Sequence, residues 1–233
     1  MGRMKQVLHH IRVAVLSFLL FVPSCSKEGY RDVQMPYENA GGEEGMAIGT
    51  LRSRDGVRFI RLDGVSCSQI MNPKEVQDIP DGVRVFLQYR CVVAPAVTVA
   101  DFCVDAILVE WASPLEVGEV RHDPSSFEGD PVSIITDWMT SLEDGFLTLH
   151  YQVPASGKMQ HTFCICPVNP PYAYRLVHDA HADSGGKMTE GLICFDVEGI
   201  LPETGEDAVE LSLEYMDLDH TKKQLTVEYR SPK

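Results

Sequence analysis

Cysteine 25 follows a sequence whose residue types and spacing suit covalent lipid attachment. Residues 1–12 carry three cations and no acid, and Val13–Val22 are apolar apart from Ser17. This order is typical of a cleaved export signal, here over residues 1–25. The ten-residue apolar run is shorter than the about 20 residues of a membrane-spanning helix. A thiol at the new N-terminus could form a thioether with a diacylglycerol, whose acyl chains bind bilayers.

The residues around Cys25 favour this chemistry. The window Phe21-Val22-Pro23-Ser24-Cys25 resembles the bacterial lipobox, with Pro23 as a departure from its usual pattern. The residue after Cys25 is Ser26 and not aspartate. By resemblance to known lipoprotein sorting rules, this favours the outer membrane over retention in the inner membrane. The alternative is ordinary secretion, which leaves Cys25 free or disulfide-bonded.

A second candidate for chemistry is the segment His178-Asp179-Ala180-His181-Ala182-Asp183. Two histidines three positions apart with nearby carboxylates could ligate zinc, but that spacing works best on a helix. A structural site would also need further ligands, such as Cys164 and Cys166. A polar loop is the simpler interpretation, and we expect no metal and no cofactor.

Four arginines, Arg52, Arg54, Arg58 and Arg61, are the concentrated cations of the chain after the signal. They could bind an anionic ligand, such as an acidic glycan or the acidic patch of a protein partner. The simpler interpretation is a solvated strand face that lies near Asp55 and Asp63.

The charge balance excludes one class of partner. The chain has 20 Lys+Arg and 34 Asp+Glu, and the predicted signal removes three of the cations, so the remainder has a net charge of 17 − 34 = −17. Such acidity repels phosphate backbones, so nucleic-acid binding is not expected. We therefore expect the lipid on Cys25, rather than surface charge, to hold the protein at a membrane.

The sequence does not determine which of the cysteines after Cys25 form disulfides. Six further cysteines allow 15 full pairings in an exported protein, and the sequence selects none of them. Cys91 continues the apolar phase of Val83, Val85 and Leu87, which is typical of a small core residue. The chain has no Gly-x-Ser-x-Gly elbow, so we expect no enzyme activity.

The elements that must position these residues are predicted to be β-strands. Alternating runs, such as Val83–Tyr89, Leu147–Val153, Val209–Tyr215 and Leu225–Tyr229, are separated by glycine-containing turns. We expect five strands at about 46–52, 57–63, 66–71, 83–93 and 102–111. Seven more are expected at about 132–140, 145–153, 159–167, 173–178, 190–197, 208–216 and 222–230.

These strands predict an all-β protein: a small five-stranded OB-like barrel followed by an antiparallel β-sandwich. Residues 26–45 are glycine-rich and acidic, which indicates a flexible tether. The barrel is expected over 46–118 and the sandwich over 119–233, with the boundary in the Pro- and Gly-rich segment Ser113–Pro131.

Several segments, in order, resemble the NigD-like lipoproteins of Bacteroidetes. They include the Arg54-Asp55-Gly56 turn, Asp137-Trp138, His178-Asp179-Ala180, Gly191–Asp196 and Leu225–Tyr229. The resemblance implies an OB-like domain, a C-terminal β-sandwich and no established enzyme activity. Val177 departs from the arginine usual in the family. We therefore expect a non-enzymatic binding or structural component of the outer membrane, on its periplasmic or surface face, or of the cell surface. The alternatives are a hydrolase and a periplasmic assembly factor.

Overall fold

The alternating sequence runs form strands throughout the computed structural model. It describes residues 44–64, 67–92, 99–123, 129–168, 172–201 and 208–229. The export signal over 1–25, including Cys25, and most of the predicted tether over 26–45 lie outside these residues. The first strand already begins at Glu44, inside the range expected for the tether. In the described part of the chain, no helix has the length and apolar character to cross a membrane.

The first five strands close into a barrel, as the sequence predicts. They are β1 (Glu44–Arg54), β2 (Val57–Leu62), β3 (Cys67–Ile70), β4 (Arg84–Cys91) and β5 (Asp105–Pro114), in the order β1-β2-β3-β5-β4. β3 and β5 pair in parallel and the other neighbours pair antiparallel. A 3₁₀ turn at Pro73–Val76 follows β3. Leu51, Ile60, Leu87 and Ile107 are fully buried inside the barrel because alternate residues of a strand share one face.

The later strands form two sheets that pack face to face. They are β6 (Glu116–Val117), β7 (Glu119–Val120), β8 (Ser133–Ile135), β9 (Ser141–Glu143), β10 (Phe146–Ala155), β11 (Thr162–Val168), β12 (Ala173–Asp179), β13 (Lys187–Asp196), β14 (Val209–Met216) and β15 (Lys222–Tyr229). One sheet has the order β6-β13-β10-β8, with β9 also on β10, and the other has the order β15-β14-β12-β11-β7. Leu149, Ile165, Leu176 and Phe195 are fully or almost fully buried between them. The barrel and the sandwich belong to one compact unit.

The segment Ser113–Pro131, where the sequence places the domain boundary, contains two of these strands. β6 pairs in parallel with β13, and β7 pairs in parallel with β11, so the chain passes from one sheet to the other at Gly118. A Cβ atom at Gly118 would lie 2.1 Å from the ring of Phe195, so glycine permits the close approach. The paired part of the sandwich therefore begins at Glu116, three residues before the expected start at 119.

The single strand predicted over 132–140 is a short strand followed by a turn in the structure. β8 covers only three residues, and a turn at Asp137–Thr140 separates it from β9. The carboxylate of Asp137 accepts the Met139 N–H at 2.9 Å, and the Asp137 carbonyl accepts the Thr140 N–H at 3.1 Å. Aspartate favours such local turns over a continuous strand because its side chain bonds nearby backbone donors.

Candidate functional site

The most prominent exposed feature is a group of three aromatic rings, Phe86, Trp111 and Trp138, called here the aromatic surface. The ring centroids of Phe86 and Trp111 lie 5.7 Å apart, and those of Phe86 and Trp138 lie 6.2 Å apart. The chain has two tryptophans, and each of them is 40% exposed at this surface. The barrel supplies Phe86 and Trp111, and the sandwich supplies Trp138, so the group spans both domains.

Strand geometry places the two barrel rings on the outside. Phe86 lies between the buried residues Val85 and Leu87 of β4, so its side chain points away from the barrel interior. Trp111 pairs with Gln88, next to a register shift between Gln88 and Tyr89. Such a bulge re-aims the side chains beside it. The ring of Trp111 consequently meets that of Phe86 edge to face, at an interplanar angle of 85°.

The turn between β8 and β9 presents Trp138 and is fixed from the sandwich side. His150 Nδ1 lies 2.9 Å from the Asp137 carboxylate, and the side chain of His150 is 8% exposed. Thr140 accepts the His150 N–H at 3.0 Å and donates its hydroxyl to the Ile135 carbonyl at 2.6 Å. Met139, on the other side of Trp138, is buried. These contacts hold the backbone on both sides of Trp138.

Polar side chains lie beside the aromatic surface on the outer face of β4 and β5. Glu110 accepts hydrogen bonds from Gln88 at 3.1 Å and from Arg90 at 2.5 Å. Arg90 also pairs with Glu44 at 3.1 Å. An apolar centre with a charged and amide-containing edge is the usual anatomy of a binding interface.

Arg84 joins the barrel to the sandwich close to this surface. It lies two residues before Phe86 on the same face of β4, and it is only 1% exposed. Its guanidinium donates to Thr148 Oγ1 of the sandwich at 3.2 Å and to Thr50 Oγ1 of the barrel at 3.3 Å. It also forms an ion pair with Asp63. The Asp63 carboxylate in turn accepts the Ser141 hydroxyl at 2.7 Å, so both ends of the pair reach the sandwich.

The four arginines considered as a possible anion site have carboxylate partners within the chain. Arg52 and Arg61 both pair with Asp144 of the sandwich, at 3.0 and 2.7 Å. Asp144 is 8% exposed and takes the position that an external anion would occupy between these two arginines. The other two are paired within the barrel: Arg58 with Asp81, and Arg54 with Asp55. Binding of an external anion at this cluster stays a prediction.

The two histidines considered as metal ligands have different partners. His178 is buried, and its Nδ1 lies 3.1 Å from the Pro131 carbonyl, so this nitrogen donates. Its Nε2 lies 2.9 Å from His161 Nδ1, while His181 Nε2 lies 3.2 Å from the Thr162 hydroxyl. Burial and the neighbouring His161 lower the pKa of His178. In the described residues, no group of three or more His, Cys, Asp or Glu could hold a metal ion.

A cavity of about 410 Å³ lies beside β6 and β7. Its lining includes three carboxylates, Glu116, Glu119 and Asp179. Glu119 accepts a hydrogen bond from Arg121 at 2.9 Å, and Asp179 accepts the His181 N–H at 2.7 Å. Both carboxylates therefore stabilise local structure. If the protein were a hydrolase, its catalytic acids would be expected among the carboxylates of this cavity.

Sequence reasoning missed both the aromatic surface and Arg84. Phe86 and Trp111 meet through the pairing of β4 with β5, and Trp138 joins them only because the sandwich packs against the barrel. Arg84 lies in the polar phase of an alternating strand, which is typical of a solvated residue. The one signal in the sequence is that each tryptophan directly follows an acidic residue, Glu110 or Asp137.

Comparisons with known proteins agree with this architecture. The family model of the NigD-like C-terminal beta sandwich domain matches residues 115–229. A search of curated proteins found no match.

Solved structures of proteins from Parabacteroides and Bacteroides share the fold. A protein of Parabacteroides distasonis, provisionally named as toxin-related, is 20% identical with a TM-score of 0.67, covering 81% of this chain and 94% of its own. A NigD-like immunity protein of Bacteroides caccae is 15% identical with a TM-score of 0.54, covering 82% of this chain and 97% of its own. A protein of Bacteroides fragilis, provisionally named a lipoprotein, is 8% identical with a TM-score of 0.56. The match covers 82% of this chain and 100% of that protein. The match over residues 115–229 identifies the sandwich of this chain as a NigD-like C-terminal beta sandwich domain, and the solved structures share the fold of the barrel and the sandwich.

Proposed function

We propose that this NigD-like protein is a lipid-anchored, non-enzymatic binding component of the bacterial outer membrane. The export signal and Cys25 support the anchor, and one structural neighbour carries a provisional lipoprotein name. The net charge of −17 after the signal leaves the lipid as the attachment that the sequence offers. The binding site that we propose is the aromatic surface.

The observation that carries this proposal is the exposure of both tryptophans around one phenylalanine. Tryptophan is highly buried on average in folded proteins, because burial of its large ring contributes strongly to the hydrophobic free energy. Here Trp111 and Trp138 each remain 40% exposed at the same place. Tryptophan is also enriched among the residues that dominate binding energy in protein interfaces.

The aromatic surface is held in position before a partner binds. The Asp137–Thr140 turn is fixed by His150, and the junction of the domains is fixed by the buried Arg84. A surface ordered in advance loses less conformational entropy on association, so more of its contact energy appears as affinity. These contacts support binding as the role of this surface.

The shape and charge of the surface favour a protein partner over a glycan. The Trp111 ring is nearly perpendicular to Phe86, and the Trp138 ring is tilted by 34°, so the three rings form an uneven surface. The polar edge contains Arg90 and Glu110, and charged residues of this kind steer protein association. A glycan that stacks on one ring is the alternative.

In-cell photo-crosslinking tests the proposal. A photoreactive amino acid at Leu108, which is 38% exposed on the strand that carries Trp111, should capture a discrete protein in the cell envelope. The matched control is Met188, which is 51% exposed on β13 and should not capture that protein. Equal capture at both positions, or capture of no protein, would contradict the proposed site.

Two further experiments separate the alternatives. Protease treatment of intact cells should cleave a surface protein, whereas a periplasmic assembly factor should be protected. Incubation of the purified protein with envelope or dietary polymers should release no fragments. Release that is lost on changing the cavity carboxylates Glu116 and Asp179 to amides would support the hydrolase instead.

A further inference from the structure

The thiols of Cys67 and Cys103 lie at one end of the barrel, and their sulfur atoms are 2.7 Å apart. Carbon atoms make their best nonbonded contacts at about 3.5–4.0 Å, and sulfur is larger than carbon. Two separate thiols are therefore too close for a relaxed contact. A disulfide bond, at about 2.05 Å, needs only a small further approach of the two sulfur atoms.

The backbone places these residues together independently of their side chains. Cys67 is the first residue of β3, and its carbonyl accepts the Val104 N–H at 3.0 Å. The parallel pairing of β3 with β5 continues from Ser68 opposite Asp105. The Cys103 N–H donates to the Ala100 carbonyl at 2.8 Å, which closes the turn before β5. The proximity of the two thiols thus follows from the pairing of the strands.

Other cysteines have surroundings that suit free thiols. Cys166 and Cys194 are fully buried, and each donates to a carbonyl, those of Arg175 and Glu116 respectively. Cys164 lies two residues before Cys166 on the same face of β11, where two neighbours in one strand make a poor disulfide pair. Cys67 and Cys103 are only partly buried, so an oxidant can reach them.

We propose that Cys67 and Cys103 form a disulfide in the exported protein, which links β3 to the turn before β5. The reaction is thiol–disulfide exchange with a disulfide-carrying oxidant, either a protein or a small thiol in its oxidised form. The two cysteine thiols lose two hydrogen atoms and gain one S–S bond, and the oxidant is reduced to two thiols. This proposal rests on the export that we proposed above, because an oxidising compartment allows the bond to persist.

The bridge has a structural role. Burial and the adjacent Cys103 raise the pKa of the Cys67 thiol to about 12, which is the opposite of the lowered pKa of a catalytic thiol. Phe102, next to Cys103, packs edge to face on Phe59 at 5.2 Å, and the Arg54 guanidinium lies 5.0 Å from its centroid. The disulfide would hold this packed turn to the barrel across 36 positions of the chain.

Mass spectrometry of the full-length protein tests the proposal. The protein is recovered from the envelope fraction, its free thiols are blocked with an alkylating reagent during denaturation, and it is digested with trypsin without reduction. Trypsin places Cys67 in the peptide 62–74 and Cys103 in the peptide 91–121, so a joined pair of peptides reports a bond between them. The second peptide also contains Cys91, so the same digest of the Cys91→Ser variant assigns the bond to Cys103. Recovery of peptides joined through Cys67 and Cys103 is the expected result. Alkylated Cys67 and Cys103, or a different pairing, would overturn it.

Thermal unfolding provides a second test. Reduction of the wild-type protein should lower Tm by roughly 10 °C, because closing a loop of this length stabilises the folded state. The double variant Cys67→Ser, Cys103→Ser should have a lower Tm that reduction does not change. Cys91→Ser is the control and should keep the response to reduction. A wild-type Tm that is insensitive to complete reduction would contradict the role of the bridge. Failure of export appears separately, as absence of the protein from the envelope fraction.

Discussion

Arg84 of the barrel donates a hydrogen bond from Nε to Thr148 Oγ1 of the sandwich at 3.2 Å, and the same guanidinium pairs with Asp63. This buried cation holds together the two domains that form the aromatic surface. The account of function depends on that junction, because Phe86 and Trp111 come from one domain and Trp138 from the other.

The Arg84→Met variant should be strongly destabilised. Removal of one partner leaves the Asp63 carboxylate without its cation, and breaking a buried pair costs about 3–5 kcal/mol of unfolding free energy. Chemical denaturation followed by tryptophan fluorescence measures this change. Arg90→Met is the control, because that arginine is exposed and its loss should cost about 1 kcal/mol or less. Similar losses for both variants would contradict the role of Arg84.

The Asp144→Asn variant tests the pairing with Arg52 and Arg61. Asp144 has a positive φ of 50°, which asparagine tolerates, so the substitution removes charge with little backbone strain. We expect a loss of about 1–3 kcal/mol, because hydrogen bonds to a charged group are lost. Asp55→Asn is a matched control with a φ of 52° and an 83% exposed side chain, and its effect should stay within about 0.5 kcal/mol. Equal effects would show that Asp144 does not join the domains.

The free energy of unfolding should fall as the pH is lowered below about 6.5, because His178 takes up a proton more readily in the unfolded chain. Burial and His161 lower the pKa of His178 in the folded state, so the unfolded chain binds this proton more readily. Stability is therefore complete above the ordinary value of 6.5, and it is lost as the pH falls through the lower folded pKa.

Denaturation of the wild type and of His178→Gln at several pH values between 7.5 and 5 measures this effect. The difference between the two proteins should shrink toward the acid end, because the wild type alone loses the contribution of a neutral His178. A constant difference across that range would contradict the assignment. The groups facing this ring are His161, Phe163, the Pro131 carbonyl and Asp130.

The lipid anchor can be tested by metabolic labelling. Labelled palmitate should enter the wild type and Cys91→Ser but should be absent from Cys25→Ser, because the acyl chains depend on the thioether at that residue. Gel autoradiography of the purified protein is the readout. Equal labelling of the wild type and Cys25→Ser would refute the anchor.

Much of the fold could be predicted from the sequence, because strands with one wet face show alternating polarity. β4, with Val85 and Leu87 inward, and β14, with Leu211 and Leu213 inward, follow that pattern. The short strands β6 and β7 could not be predicted, since two residues carry no period. The sequence resembles the family at Asp137-Trp138, but its pattern predicts a strand where the structure has a turn.

The candidate site could not be predicted because it depends on how the domains dock. Trp111 and Trp138 have no spacing in the sequence that brings them together. The alternating polarity of β4 predicts that Arg84 is solvated. Only its tertiary contacts with Thr148 and Asp63 show that it is buried. The arginine cluster is visible in the sequence, but its partner Asp144 lies in the other domain.

The measurement that tests the central claim most directly is capture of the envelope partner by the variant Trp111→Ala, Trp138→Ala. With the photoreactive group at Leu108, the double variant should yield at least tenfold less crosslinked partner than the wild type at equal protein level, because residues of this type dominate binding energy. Met159→Ala, an exposed apolar change outside the aromatic surface, should leave the yield unchanged. Undiminished capture by a folded double variant would contradict binding through the aromatic surface.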